Sequence, residues 1–563
     1  MRKGLRLWKV TVIAAAVAVL TACGSSAKTG QETAVSASTA EKSQGGETAA
    51  EGNAEFTESA SQETDITAAV KVDFTTMDPV DTSDTLSGGI QRMMMDGMFG
   101  FDDDMKIYPM LATGYEANDN ATEFTITLRK GISFTDGTPW NADAAIANLE
   151  KLGNKNLGLK RTTLLCNVLD HADKIDDYTI KVTLVQPFGA FINTLAHPAC
   201  VMMSPKQIEA GPSACAENPI GTGQYKFVEW VPGDHLKLEL NKDWWGYNAD
   251  ICDGNPLAES DAGFKSIVFK PVGEGATRVA MIQSGDAQII WPAPTESMEA
   301  LKSDTNITVN KGQSIVVWYF MMNNQKAPFN DVKVRQAVSY AINKEAYVQV
   351  VMNGLGTPAT SVIGPAVQYY KANDPLAYDP AKAKELLTEA GYPNGFTAKL
   401  MYANTSENQK RAEFYKQQLA AVGINLELNG MESAILNQKV QGATGSGADA
   451  EVEFYMSGWS PSTGDADWGI RPILAKESEP PMSYNICYYE NDELENYIKT
   501  GLQSADDSVR KEAYAKAQDL IWKDVPMVCV ASDYNTWVTS NKVTGVKIYP
   551  DGAINMKNAR MSK

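Results

Sequence analysis

Ala398-Lys399-Leu400-Met401-Tyr402 reads as a strand. Arg411-Ala412-Glu413-Phe414-Tyr415-Lys416-Gln417-Gln418-Leu419-Ala420-Ala421-Val422 reads as a helix, Gly423 as its stop, and Ile424-Asn425-Leu426-Glu427-Leu428 as the next strand. Strand, helix, glycine and strand in about thirty residues is the α/β alternation that builds a sheet covered by helices. The same grammar runs upstream: a strand at 266–270, a helix at 275–284, a strand at 287–290, and helices at 332–341 and 381–390. Before residue 265 the texture changes. Polar and apolar residues alternate at 121–128 and 177–184, with further short strands at 224–230 and 235–240. Asn141 is placed to cap a helix running to about 152, and 131–139 reads as a strand end and turn. Strand-like runs return at 315–320, 526–532 and 546–548, and no repeat of 20–50 residues is visible.

Composition narrows the function. Of 563 residues, 50 are basic and 69 acidic, a net charge of −19, which argues against nucleic acid as a partner. Three histidines (His171, His197, His235) exclude a histidine-rich metal centre, so no metal or cofactor is expected. No apolar run is long enough to span a bilayer.

The first 22 residues carry Arg2, Lys3, Arg6 and Lys9, no acid, and then an apolar run from Val10 to Leu20. That is the layout of a secretory signal peptide. Leu20-Thr21-Ala22-Cys23 resembles a bacterial lipobox, which implies cleavage before Cys23 and lipid on its thiol. Loss of the four basic residues takes the net charge from −19 to −23. Residues 24–64 are Ser, Thr, Ala, Gly, Gln and Glu with a single aromatic, Phe56, and are expected to form a flexible tether. Six cysteines remain (Cys166, Cys200, Cys215, Cys252, Cys487, Cys529). They show no CxxC, and Cys200 with Cys215 is either a disulfide or two buried thiols.

Five segments in order carry a family resemblance: Thr76-Met77-Asp78-Pro79, Tyr108-Pro109-Met110-Leu111-Ala112, and Leu128-Arg129-Lys130-Gly131-Ile132-Ser133-Phe134-Thr135-Asp136-Gly137; then Asn218-Pro219-Ile220-Gly221-Thr222-Gly223-Gln224-Tyr225-Lys226-Phe227, and Pro328-Phe329-Asn330-Asp331-Val332-Lys333-Val334-Arg335-Gln336-Ala337. Together they resemble the family 5 solute-binding proteins of ABC importers, whose members receive peptides, nickel and glutathione. Ser457-Gly458-Trp459-Ser460-Pro461-Ser462-Thr463-Gly464-Asp465-Ala466-Asp467-Trp468-Gly469-Ile470-Arg471-Pro472 resembles the glutathione-binding branch. The resemblance implies an α/β, two-lobed type II periplasmic-binding-protein-like fold (cluster C) with an extra subdomain in lobe one. The implied organisation is a signal peptide at 1–22, lipidated Cys23 and tether at 23–65, lobe one at 66–300 with 532–563, the extra subdomain at about 100–215, and lobe two at 301–531. Hinge crossings are expected near 291–295 and 529–533, with ligand closing the lobes.

In the last segment, Pro461 and Gly464 break a strand run at 451–456, and Asp465 or Asp467 can cap a helix starting near Trp468. Open α/β sheets place ligands at such strand-loop-helix junctions. Arg471 and the helix N-terminus suit a carboxylate, Asp465 and Asp467 an ammonium, and Trp459 and Trp468 flat apolar walls, with Thr463 in the same loop. Arg471 has an alternative, pairing with Asp465 or Asp467 to pin the loop, and the alternative for Asp467 is a plain cap. In lobe one, Thr82, Ser83 and Thr85 follow the Asp78-Pro79 turn and are candidates to face the cleft. Trp318, Tyr319, Arg278 and Arg335 read as structural. Glutathione carries one ammonium and two carboxylates, so it needs a second donor site, which the sequence does not reveal.

The expected function is a lipid-anchored, extracytoplasmic, monomeric receptor. It takes a short peptide (glutathione or a di- or tripeptide) and hands it to ABC permease subunits, with no catalytic residues. The same family allows a general oligopeptide or nickel-chelate receptor instead. An enzyme finds no HExxH, GxSxG or P-loop, and Gly442-Ala443-Thr444-Gly445-Ser446-Gly447 lacks GxGxxG order. A non-transport surface lipoprotein is the remaining alternative.

Overall fold

The computed structural model describes residues 61–562. The signal peptide, Cys23 and most of the tether lie outside the described residues. The expected tether runs too far, however. Ser61–Glu63 form a turn of 3-10 helix, with the Ser61 hydroxyl on Gly263 O at 2.9 Å, and the first strand is Asp65–Val70.

An eleven-stranded sheet runs through the molecule. From one edge its order is Ile424–Met431, Phe396–Ala403, Phe454–Trp459, Ile307–Met322, Met527–Ser540, Ile289–Trp291, Asp65–Val70, Ser266–Pro271, His235–Leu240 and Tyr225–Val231; Gly356–Pro358 pairs on Met527–Ser540. The stretch that opens the sequence reading folds as expected. Phe396–Ala403 and Ile424–Met431 lie parallel, joined by the helix Ser406–Ala420. This helix begins five residues earlier than periodicity suggests because the Thr405 side chain caps it, accepting from Asn408 N. Gly423 leaves it at φ +90°, a backbone that favours glycine. Phe320 stacks on Phe454 at 4.6 Å beneath this layer, in the core of lobe two.

A separate four-stranded antiparallel sheet holds Ala112–Ala117, Glu123–Leu128, Thr179–Leu184 and Leu169–Asp176. It carries the helix Ala142–Gly153, capped by Asn141, and is the extra subdomain of a two-lobed fold.

The two lobes share the long antiparallel strands Ile307–Met322 and Met527–Ser540. Their register shifts between Gln313 and Val317, opposite Ser532 to Tyr534. Met298, Leu301 and Ile307 pack with Ala69, Ile290 and Val538 in one apolar cluster.

The six described cysteines are free thiols, five of them buried, so Cys200 and Cys215 form no disulfide. Tyr319, Arg278 and Arg335 hold backbone carbonyls, and the Trp318 indole holds the Asp533 carboxylate, as structural residues do.

Candidate functional site

The loop after Phe454–Trp459 folds largely onto itself. Asp465 has extended backbone, its carboxylate accepts from Asp467 N at 2.8 Å, and it thereby caps the helix Ala466–Leu474. Its side chain is completely buried and also pairs with Arg510 Nη2 at 2.9 Å. Burial pushes this carboxyl above its usual range and the Arg510 charge pulls it back. Arg471 grips Asp467 through two bonds of 2.8 Å, so the alternative of a pinned loop is the one the geometry displays. The Asp467 carboxylate raises Arg471 above the ordinary guanidinium range. Pro472 lies inside this helix and lacks the N–H that would bond Trp468 O. The Trp459 indole N–H takes that carbonyl at 2.7 Å instead, which fixes the ring. Trp459 then stands 6.3 Å from Trp468 and 5.1 Å from Tyr484. Thr463 is buried, with a hydroxyl that has no partner.

The lobe-one wall is different. Asp78 caps the 3-10 turn Pro79–Asp81 and is held by Lys151 at 2.8 Å. Thr82 donates to Asp78 O and accepts from Gln91 Nε2 at 2.6 Å. Gln91 is 1% exposed, and its Oε1 has no hydrogen-bond partner. Arg161, from the turn Lys160–Leu164, donates Nε to Thr82 O at 2.7 Å. Its two terminal nitrogens meet no partner among the described residues. Burial pushes its charge downward, while Asp84 and Tyr484 support it.

Thr82, Gln91 and Arg161 line a cavity of about 50 Å³ closed on the other side by Ser460 and Ser462. His197 completes it. Its Nδ1 accepts from Ala199 N at 3.0 Å, so Nε2 carries the proton and donates to Ser462 Oγ at 3.1 Å across the lobes. Burial, then Arg161 and Arg92, hold this imidazole well below its ordinary pKa, so it is neutral. Elsewhere the extra subdomain meets lobe two through Gly189 N on Leu502 O at 2.7 Å and Asn193 Nδ2 on Gln368 Oε1 at 2.9 Å.

Of the residues expected from sequence, Thr82 and Thr85 line the cavity. Ser83 is exposed and outside it, and Trp459, Thr463, Asp465, Asp467, Trp468 and Arg471, on the strand, loop and helix around Ser460 and Ser462, do not line it. Arg161, Gln91 and His197 were missed. The only signal for His197 was the scarcity of histidine, and nothing flagged the other two. Among the described residues no cluster of His, Cys, Asp and Glu could hold a metal ion.

A two-lobed α/β protein with polar groups aimed into the seam between its lobes is built to enclose a small solute. The family model for bacterial extracellular solute-binding proteins, family 5, matches residues 106–480, and the chain belongs to that family. It is a binding protein, not an enzyme. The chain is 38% identical over 496 residues to the glutathione-binding protein GsiB of Salmonella choleraesuis, covering 88% of this chain and 94% of that one. GsiB of Pectobacterium atrosepticum is 36% identical over 501 residues, covering 89% and 94%. Among solved structures, HbpA2 from Haemophilus parasuis superposes with TM-score 0.78 at 23% identity, covering 89% of this chain and 100% of that one. The periplasmic binding protein DppA from Helicobacter pylori, in complex with peptide STSA, gives 0.69 at 24%, covering 89% and 99%. Family members are extracytoplasmic, and no helix among the described residues is long and apolar enough to cross a membrane.

Proposed function

We propose that this chain is the lipid-anchored receptor of an ABC importer. It captures a short peptide between its lobes, glutathione-like by preference, and delivers it as a monomer to permease subunits. The observation that carries this reading is Arg161, a half-buried guanidinium with two unspent nitrogens that lines one cavity with Ser460 and Ser462. Such a fork is suited to a carboxylate, and the unpartnered Gln91 Oε1 beside it is suited to an N–H donor. Thr82, Thr85, His197, Ser460 and Ser462 complete the proposed contacts. Asp465, Asp467 and Arg471 hold the loop in shape, with Thr463, Trp459 and Trp468 as its backing. The names of the GsiB relatives support the choice of ligand. In this reading lobe one is 61–312 with 535–562, the extra subdomain is about 100–215, lobe two is the rest, and Cys23 bears the lipid.

The test is a thermal-shift panel on the full chain after unfolding and refolding, with glutathione, α-linked di- to pentapeptides and nickel with a histidine chelator. A ligand at 100 times its Kd stabilises by about 2.7 kcal/mol. A shift with glutathione supports the reading. A shift with nickel-histidine alone overturns the ligand choice. Palmitate labelling that disappears in Cys23→Ala checks the anchor.

A further inference from the structure

Inside lobe one, behind the cleft, lies a second enclosed space of about 40 Å³, and His197 lines both spaces. Met93, Met95, Met110 and Met556 form much of its wall. Its polar groups are only partly used. Asp96 is 2% exposed, and its Oδ2 accepts from Thr222 Oγ1 at 3.1 Å, Trp244 Nε1 at 3.1 Å and Trp245 Nε1 at 2.9 Å. Its Oδ1 has no partner among the described residues, and no cation pairs with it. Arg92 spends Nη2 on Asp551 at 2.7 Å and leaves Nε and Nη1 without a hydrogen-bond partner among the described residues. Lys557 donates to Tyr108 OH at 2.7 Å. Burial and then the Asp96 charge push the Tyr108 hydroxyl up.

The charges of Arg92, Lys557, Asp96 and Asp551 sum to zero. A lone cation or anion entering this space leaves a net buried charge, which is costly. A group bearing both an ammonium and a carboxylate adds no net charge and finds a partner for each. An α-linked peptide carries those two groups at opposite ends. A γ-glutamyl peptide carries both on one carbon, at the end of two methylenes.

We infer that this chamber is a subsite for the free amino-acid end of a γ-glutamyl peptide, with Asp96 Oδ1 taking the ammonium and Arg92 with Lys557 taking the carboxylate. The inference rests on the receptor reading above and deepens it. The methylenes lie against the methionines, whose flexible thioethers adapt to an irregular guest. The backbone of the peptide passes His197, and its far carboxylate reaches Arg161. The γ-linkage is what sets the ligand apart.

Calorimetry on the full chain tests this with three probes: glutathione, its α-glutamyl isomer, and Cys-Gly. The wild type is expected to bind glutathione at least a hundredfold more tightly than either of the others. Asp96→Asn keeps an acceptor for the indoles, and Lys557→Met alters a half-buried side chain. Each is expected to lose tenfold or more for glutathione and to bind Cys-Gly as the wild type does, with thermal midpoints reporting that both variants fold. If the wild type binds the α-isomer equally well, or both folded variants bind glutathione unchanged, the chamber assignment is overturned and the receptor reading stands. If the wild type binds no peptide, the receptor reading falls and the chamber assignment with it.

Discussion

The two walls of the seam hold arginines in opposite conditions. In lobe two, Arg471 and Arg510 are each matched to a buried aspartate. In lobe one, Arg161 touches a single carbonyl and keeps its fork free. The conspicuous wall, dense in Trp, Asp and Arg, has consumed its own valences to hold a shape. The inconspicuous wall has chemistry left to offer. Binding capacity is therefore measured by what a residue has not yet bonded, and motif density is a poor guide to it.

This contrast can be broken in five ways. Asp465→Ala strands Arg510 in a buried site and is expected to destabilise by about 3–5 kcal/mol, read by chemical denaturation. Arg471→Met leaves buried Asp467 without its two bonds and is expected to cost about 2–3 kcal/mol, with the affinity of the folded fraction unchanged. Arg161→Ala is expected to do the reverse: glutathione binding weakens by about 2 kcal/mol, roughly thirtyfold, while the denaturation midpoint barely moves. Lost affinity in Arg471→Met with retained affinity in Arg161→Ala would exchange the roles of the two walls.

Acid should act through His197. Its folded pKa lies below the unfolded value, so the folded state binds fewer protons than the unfolded state. The stability it contributes is fully present above about pH 6.5 and falls by up to about 1.4 kcal/mol per pH unit below it. His197→Gln is expected to flatten that slope between pH 6.5 and 5. The smallest effect is expected from Ser462→Ala, which removes one cross-lobe hydrogen bond and weakens binding by about 1 kcal/mol.

Much of the fold was legible because each element carries local signals. Asn141 caps its helix, Gly423 stops another, and alternation marks the strand His235–Leu240. The Asp465 cap was legible for the same reason. Arg161 was not, because it lies 79 residues from the Thr82 carbonyl it meets, in a turn without periodicity. Its importance is also a negative property, the lack of a carboxylate bonded to it, and no sequence pattern encodes that. The chain's passage between lobes is not legible for a related reason. Ile307–Met322 is one uninterrupted strand, so nothing local marks where it leaves one core for the other.

That uninterrupted strand has a mechanical consequence. Its backbone ladder with Met527–Ser540 holds on both sides of the register shift near 313–317, so the halves cannot glide past each other without breaking pairs. What the ladder does permit is torsion about the irregular stretch, which turns the pair of strands into a pivot and each lobe into a lever. Displacement then grows with distance from the pivot: small twists there are magnified at the outer tips, where a second protein could tell the shut state from the ajar one without sensing the solute itself.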